Sequence, residues 1–162
     1  QLLQHPNYAT QTTANNLIAA LKEPDRAEHA KQLLTHENYA TLPTAMNLVS
    51  TIISKAAEDT QQVFLHQAYV RKQKIVDEVV KDLVFTTGNR NREKAANARD
   101  FLERIAVNRS ARNTLNRLLT NRNKQFIVLF KENGKDKTIN ACLKPETEML
   151  IRGILSRTAK KQ

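Results

Sequence analysis

Apolar and polar positions in this chain follow a helical period, and one such pattern returns several times. Residues 2–10 (LLQHPNYAT) return at 33–41 (LLTHENYAT), a shift of 31 positions. The likeness continues, since residues 13–18 are matched by residues 44–49. A fixed period of this length is typical of proteins built from repeated supersecondary units. The sequence therefore predicts a repeat fold with a period of about 31 residues.

Three weaker copies follow the first two. The third copy keeps the His-x-x-Tyr spacing at His66 and Tyr69. The fourth copy, around residues 94–113, loses both residues but keeps the frame of apolar positions. The fifth copy is the faintest and begins at Pro145. Apolar side chains of the third copy recur at helical spacing, at Val76, Val79, Val80 and Leu83.

Each copy is predicted to form two helices. In the second copy, the second helix begins near Pro43 and Thr44, because proline is tolerated in the first turn. Its apolar stripe consists of Leu48, Val49, Ile52 and Ile53. One helix pair cannot bury such a stripe alone, whereas neighbouring copies can cover each other. We therefore predict an all-α fold of stacked antiparallel helix hairpins. Equivalent core positions in four copies are Leu17, Leu48, Val79 and Leu115.

This repeat resembles the helical-hairpin repeats of tetratricopeptide and HEAT proteins in its general plan. The resemblance implies an α-solenoid-like domain whose extended surface docks partners. The chain has no Trp and lacks the Leu-Gly and Tyr pattern of tetratricopeptide units, so no binding residues carry over. Its composition, rich in Asn, Lys and Thr, is similar to that of helical domains in large effector proteins secreted by intracellular bacteria. That second resemblance implies attachment to host membranes.

Two stretches break the helical pattern. Residues 86–92 are polar and predict a loop between the third and fourth copies. Residues 126–143 fit either of two structures. The dipeptide Asn133-Gly134 after an apolar run indicates a β-hairpin, whereas the same glycine can end a helix as its C-cap. The repeat favours the helix, and one short β-hairpin near 126–143 is the alternative.

The expected organisation is a single helical domain over residues 1–162. Residues 1–85 carry the clear repeats and residues 93–162 the degenerate, basic ones. The chain begins at Gln1 without a Met, and we expect it to be a fragment of a longer protein. Its one cysteine, Cys142, cannot form an internal disulfide, which fits a reducing, cytoplasmic compartment. For a secreted effector, that compartment is the cytosol or the membrane surface of the host cell.

Charge is distributed unevenly along the chain, whose net charge is +10. Residues 1–66 carry four Lys and Arg against six Asp and Glu, whereas residues 67–162 carry 22 against 10. An anionic partner is attracted to the region with the excess of cations. An acidic lipid headgroup or a nucleic acid is therefore expected to contact residues 67–162.

No residue pattern predicts catalysis, a metal or a cofactor. His5, His36 and His66 occupy equivalent places in successive copies, about 10 Å apart for packed helices. Zinc ligands lie about 2 Å from the ion, so we interpret these histidines as helix-end residues. The chain lacks a Gly-rich phosphate loop, a nucleophile elbow and a His-Glu-x-x-His motif. Acidic side chains expected on solvent-facing helix surfaces are Asp77, Glu78, Glu146 and Glu148. We predict a non-enzymatic protein.

A basic segment is the strongest functional signal. Arg guanidinium groups match phosphate geometry, and Asn amides, which are interspersed here, match base edges. The candidate residues for binding an anion or partner are Arg104, Arg109, Arg112, Arg117, Arg122 and Lys124. The alternative is a solvated helix face in a basic protein. Reversing the charge at Arg112 and Arg117 is expected to weaken binding to an acidic partner without unfolding the domain.

Three functions are compatible with these patterns. The leading hypothesis is a binding or targeting module that docks a protein partner through the surface of the helical repeat. The alternative is a membrane-binding domain that recognises anionic lipid, such as a phosphoinositide headgroup. The second alternative is nucleic-acid binding through the basic C-terminal part. It ranks third because the sequence contains no recognised helix-turn-helix or other reader motif.

Overall fold

The computed structural model describes residues 41–55, 58–65, 70, 72–132 and 135–159. Over these residues the protein is mainly helical, with one two-stranded antiparallel sheet. The elements are α1 (Leu42–Lys55), α2 (Glu58–Phe64), α3 (Gln73–Thr86), α4 (Arg92–Ile105), α5 (Arg109–Thr120), β1 (Gln125–Glu132), β2 (Lys135–Cys142) and α6 (Pro145–Ala159). The chain divides into two compact units, Gln1–Ile75 and Val76–Gln162. The predicted fold class, helical with one short β-hairpin, is confirmed.

The described part of the first unit consists mainly of α1 and α2, which contact each other. The helix predicted to begin near Pro43 is α1. Its predicted apolar stripe is buried, with Leu48 and Ile52 fully inaccessible to solvent. In α2, Phe64 is also fully buried. These helices therefore share a core that includes the apolar stripe predicted for α1.

The second unit builds its core from one stripe on each helix and one face of the hairpin. Asn91 begins α4, because its side-chain oxygen accepts hydrogen bonds from the backbone N–H groups of Glu93 (3.0 Å) and Lys94 (3.2 Å). Such a cap satisfies donors that have no partner within the helix. The largest fully buried side chains of this unit are Leu83, Phe101, Leu102, Ile105, Leu115 and Ile151.

The preference for a helix over residues 126–134 is wrong, and the β-hairpin is confirmed. β1 and β2 pair in antiparallel register, with Gln125 opposite Cys142 and Phe126 opposite Ala141. Burial alternates along β1, since Phe126 and Val128 are buried while Ile127 is 54% exposed. Alternation with a period of two places one apolar row on the core and leaves the other in solvent. A helix would not separate these neighbouring apolar residues onto opposite faces.

The described parts of the segments predicted as later copies are mainly helical. Val79 on α3 and Leu115 on α5 are fully buried, like Leu48 in the second copy. The segment predicted as the fifth copy forms α6, which buries Ile151 and Ile154. Leu17 lies outside the described residues, as do the four histidines of the chain. The stacking of copies on one another stays a prediction.

Asp82 on α3 makes the stability of the second unit depend on pH. Burial raises the pKa of its carboxyl from 3.8 to about 6, and a hydrogen bond from Thr86 lowers the pKa in part. The folded chain therefore binds a proton at Asp82 more tightly than the unfolded chain does. Stability decreases as pH rises from about 4 to about 6, and the loss is complete above that window.

We expect Asp82→Asn to raise the free energy of unfolding at pH 7 by roughly 1–3 kcal/mol, because it removes a partly desolvated charge. The gain should disappear below pH 4, where the carboxyl is protonated in both states. Urea unfolding of both proteins at pH 7 and below pH 4 measures this difference in the free energy of unfolding. Asp100→Asn is the matched control, since the side chain of Asp100 is 54% exposed. An equal gain at both pH values would contradict the ionisation argument.

Candidate anion-binding surface on the second unit

The solvent face of α5 consists of Arg and Asn side chains. A helical period of 3.6 residues places side chains three, four and seven positions apart on one side. On α5 that side carries exposed Arg109, Asn113, Asn116, Arg117 and Thr120. The opposite side carries the buried residues Ala111, Thr114, Leu115 and Leu118. No Asp or Glu occurs between residues 109 and 131. We call the exposed side the α5 face.

Arg117 is held in place on the α5 face by Asp77 of α3. Its Nη2 donates to Oδ1 of Asp77 at 2.7 Å, and its side chain remains 60% exposed. The hydroxyl of Thr114 donates to the same carboxylate oxygen at 2.5 Å. A guanidinium has five N–H donors, so this ion pair leaves donors for a ligand. The contact orients Arg117 and compensates part of its charge.

Arg112 has an internal role. Its guanidinium donates to Oγ1 of Thr158 (2.5 Å) and to the backbone carbonyl of Leu155 (3.1 Å), both on α6. It also donates to the carbonyl of Ala106 (3.4 Å), just after α4. Cations at the C-terminal end of a helix satisfy carbonyl groups that have no partner within the helix. Arg112 therefore joins α5 to the end of α6.

Lys124 also makes contacts within the fold. Its ammonium group donates to the carbonyl of Leu119 (2.7 Å) and pairs with Glu148 of α6 (2.8 Å). The backbone of Lys124 has a φ of 52°, a left-handed conformation that few residues other than glycine adopt. Its carbonyl accepts from the N–H of Leu143 at 2.6 Å. Lys124 thus connects the end of α5 with the hairpin and α6.

The remaining candidates are more accessible. Arg104 pairs with Asp100 on the same helix at 3.4 Å, and its side chain is 38% exposed. Arg109 and Arg122 are exposed, and no acidic partner lies beside either of them among the described residues. The α5 face therefore includes Arg109 and Arg117. Arg122 follows shortly after the helix, whereas Arg112 and Lys124 make contacts within the second unit.

Acidic side chains near this surface do not all lie in solvent, contrary to the prediction. The side chains of Asp77, Glu78 and Glu148 are 24%, 20% and 26% exposed, and each pairs with a cation. Glu146 is exposed. Each of these partly buried carboxylates therefore has a cation beside it. Two of the predicted binding cations, Arg117 and Lys124, therefore already form ion pairs with half-buried acids.

The asparagines of the α5 face were noted in the sequence only as neighbours of the arginines. Asn113 and Asn116 follow Arg109 by four and seven positions, the spacing of a single helix face. The same spacing does not separate Arg109 from Arg112, which lies three positions further along the helix and is engaged by α6. The face presents amide and guanidinium groups that can donate to phosphate oxygens and to base edges.

Within the described ranges, no three His, Cys, Asp or Glu side chains lie close enough together to hold a metal ion. None of the helices in those ranges combines the length and apolar character needed to cross a bilayer. Comparisons of the chain with protein families, with curated proteins and with solved structures gave no match.

Proposed function

We propose that this protein is a non-catalytic nucleic-acid-binding module that binds duplex DNA through the α5 face. The observation that carries the proposal is the composition of that face. Its exposed residues are Arg, Asn and Thr, without an acidic or apolar side chain. The second unit carries 19 Lys and Arg against 10 Asp and Glu, a net charge of +9. Such an excess of cations attracts the phosphate backbone without regard to sequence.

Duplex DNA fits the α5 face better than other anionic partners do. A helix about 10–12 Å across fits the major groove of B-DNA, which is about 12 Å wide. In that groove Arg recognises guanine and Asn recognises adenine through paired hydrogen bonds. Duplex RNA has a deep, narrow major groove that side chains do not read. Single strands require aromatic side chains for stacking, and the α5 face has none.

The connection between α4 and α5 is consistent with this role. Only residues 106–108 separate the two helices. Helix-turn-helix proteins join their two helices by a turn of three or four residues and place the second helix in the major groove. In that comparison, α5 corresponds to the helix that reads the DNA.

An anionic membrane is a weaker candidate for the same face. Membrane-surface helices place apolar side chains in the boundary between headgroups and acyl chains, beside their cations. The exposed Ile127 and Met149 lie on β1 and α6 and not on the α5 face. The exposed side chains of α5 therefore include cations but no apolar group for insertion.

We expect binding of the chain to a fluorescent duplex DNA to weaken steeply as salt is added, measured by anisotropy. Replacing Arg109 and Arg122 by Ala together should lower the slope of log affinity against log salt by about 0.9 for each lost phosphate contact. Asn113→Ala with Asn116→Ala should leave the slope unchanged and reduce discrimination between DNA sequences. Contacts to base edges determine which DNA sequence is preferred, whereas contacts to phosphates contribute affinity without sequence preference.

Arg152→Ala is the matched control, because Arg152 is an exposed cation on α6 without an acidic partner among the described residues. It should change the affinity for DNA by less than Arg109→Ala or Arg122→Ala does alone. Absence of binding to duplex DNA at low salt would overturn the proposal. Flotation with vesicles containing acidic lipid, but no binding to DNA, would assign the surface to a membrane.

A protein partner that docks on the helical repeat is the second candidate function. It is favoured by the sequence likeness of the first two copies and by the shared core of α1 and α2. The single free cysteine, Cys142, fits action of either kind in a reducing compartment. Capture of a specific protein that survives nuclease treatment and high salt would support this candidate. Capture that nuclease abolishes would support DNA binding.

A further inference from the structure

A cleft in the second unit lies away from the α5 face. Its volume is about 560 Å³, within the range of about 300–1,000 Å³ that is usual for small-molecule sites. The end of α3, the loop before α4, the base of the hairpin and the beginning of α6 line the cleft. None of its lining residues belongs to α5.

Among the described residues that line the cleft, the charged ones are both cations. Arg90 and Lys144 contribute cations. Both are exposed, and neither has an acidic partner among the described residues. No Asp or Glu lines the cleft within the part of the chain that the structure describes, and Asn89, Asn140 and Thr147 supply neutral hydrogen-bonding groups. Two unneutralised cations beside a concave surface favour an anionic group on the ligand.

Most of the remaining lining is apolar and partly aromatic. Phe126 is 8% exposed and Val84 is 2% exposed, so they form a buried wall. Phe85 is 40% exposed although it is a large apolar residue. Apolar walls with a few convergent polar groups are typical of pockets that bind small molecules. Aromatic rings pack favourably against other flat rings.

We infer that this cleft binds a small aromatic anion, with a carboxylate between Arg90 and Lys144 and its ring against Phe85 and Phe126. The inference does not depend on DNA binding, because the two surfaces share no residue. A carboxylate accepts charge-assisted hydrogen bonds from both cations. The ring replaces water on the exposed part of Phe85.

Cys142 provides a specific probe of the cleft. It is the only cysteine of the chain, it is free and exposed, and it lines the cleft. A ligand in the cleft should therefore shield its thiol. The experiment measures the rate at which iodoacetamide, a neutral reagent, alkylates Cys142 in increasing concentrations of naphthoate. Naphthamide serves as the neutral analogue of the same shape, and calorimetry measures the binding of both compounds directly.

We expect naphthoate to slow alkylation in a saturable manner and naphthamide to bind about tenfold more weakly or worse, because it lacks the charge. Arg90→Ala and Lys144→Ala should each weaken naphthoate binding by about tenfold. Arg152→Ala, which removes an exposed cation outside the cleft lining, should leave binding unchanged. The inference fails if calorimetry detects no binding of naphthoate. Equal binding of the two compounds, or equal weakening by Arg152→Ala, overturns it as well.

Discussion

Replacing Phe101 by Ala is expected to lower the free energy of unfolding of the second unit by about 3–5 kcal/mol. Phe101 lies on α4 and is fully buried. Truncation removes a large apolar surface from the core and leaves a cavity that the surrounding side chains cannot fill completely. The loss is a large fraction of the stability of a small domain.

Hydrogen exchange of the amides in α4 and α5, combined with urea, measures this loss within the second unit. Phe85→Ala is the control that changes the same side chain at a position that is 40% exposed. It should lose well under half as much stability, since much of its ring already contacts water. If the two variants have the same stability, the side chain of Phe101 on α4 is not buried in the core of the second unit.

Replacing Arg112 by Ala is expected to cost about 2–4 kcal/mol, because its partners then lose charge-assisted hydrogen bonds. Thr158 is fully buried, so water cannot readily replace the guanidinium beside its hydroxyl. Arg112→Lys should recover only part of the loss, since an ammonium group lacks the planar fork that spans two acceptors. Urea unfolding and exchange of the amides at the end of α6 measure both variants.

Arg109→Ala is the control for Arg112→Ala on the same helix. Arg109 is exposed and has no acidic partner among the described residues. The Arg109→Ala substitution should therefore change the free energy of unfolding by no more than about 0.5 kcal/mol. The sequence predicted that reversing the charge at Arg112 and Arg117 leaves the domain folded. The contacts of Arg112 lead us to expect destabilisation instead. Equal stability of the Arg109 and Arg112 variants would restore the earlier prediction.

Helix positions in this protein follow from the spacing of apolar residues. Leu48 and Leu115 were predicted as core residues and are fully buried. Such predictions succeed because a helix brings residues three and four positions apart onto one side, whatever surrounds it. The type of element at residues 126–143 was harder to predict. An apolar run such as 126–130 fits a helix or a strand, and pairing of β1 with β2 distinguishes them.

The roles of the cations could not be predicted in the same way. Arg109 and Arg112 are the same residue type three positions apart on one helix. One lies in solvent, whereas the other donates to groups on α6 that lie 43 and 46 positions further along the chain. Local spacing places a side chain on one side of a helix, and the apolar pattern was sufficient to predict which side of each helix faces the core. Whether a charged group binds within the fold or remains available for a ligand depends on atoms that packing brings from distant segments.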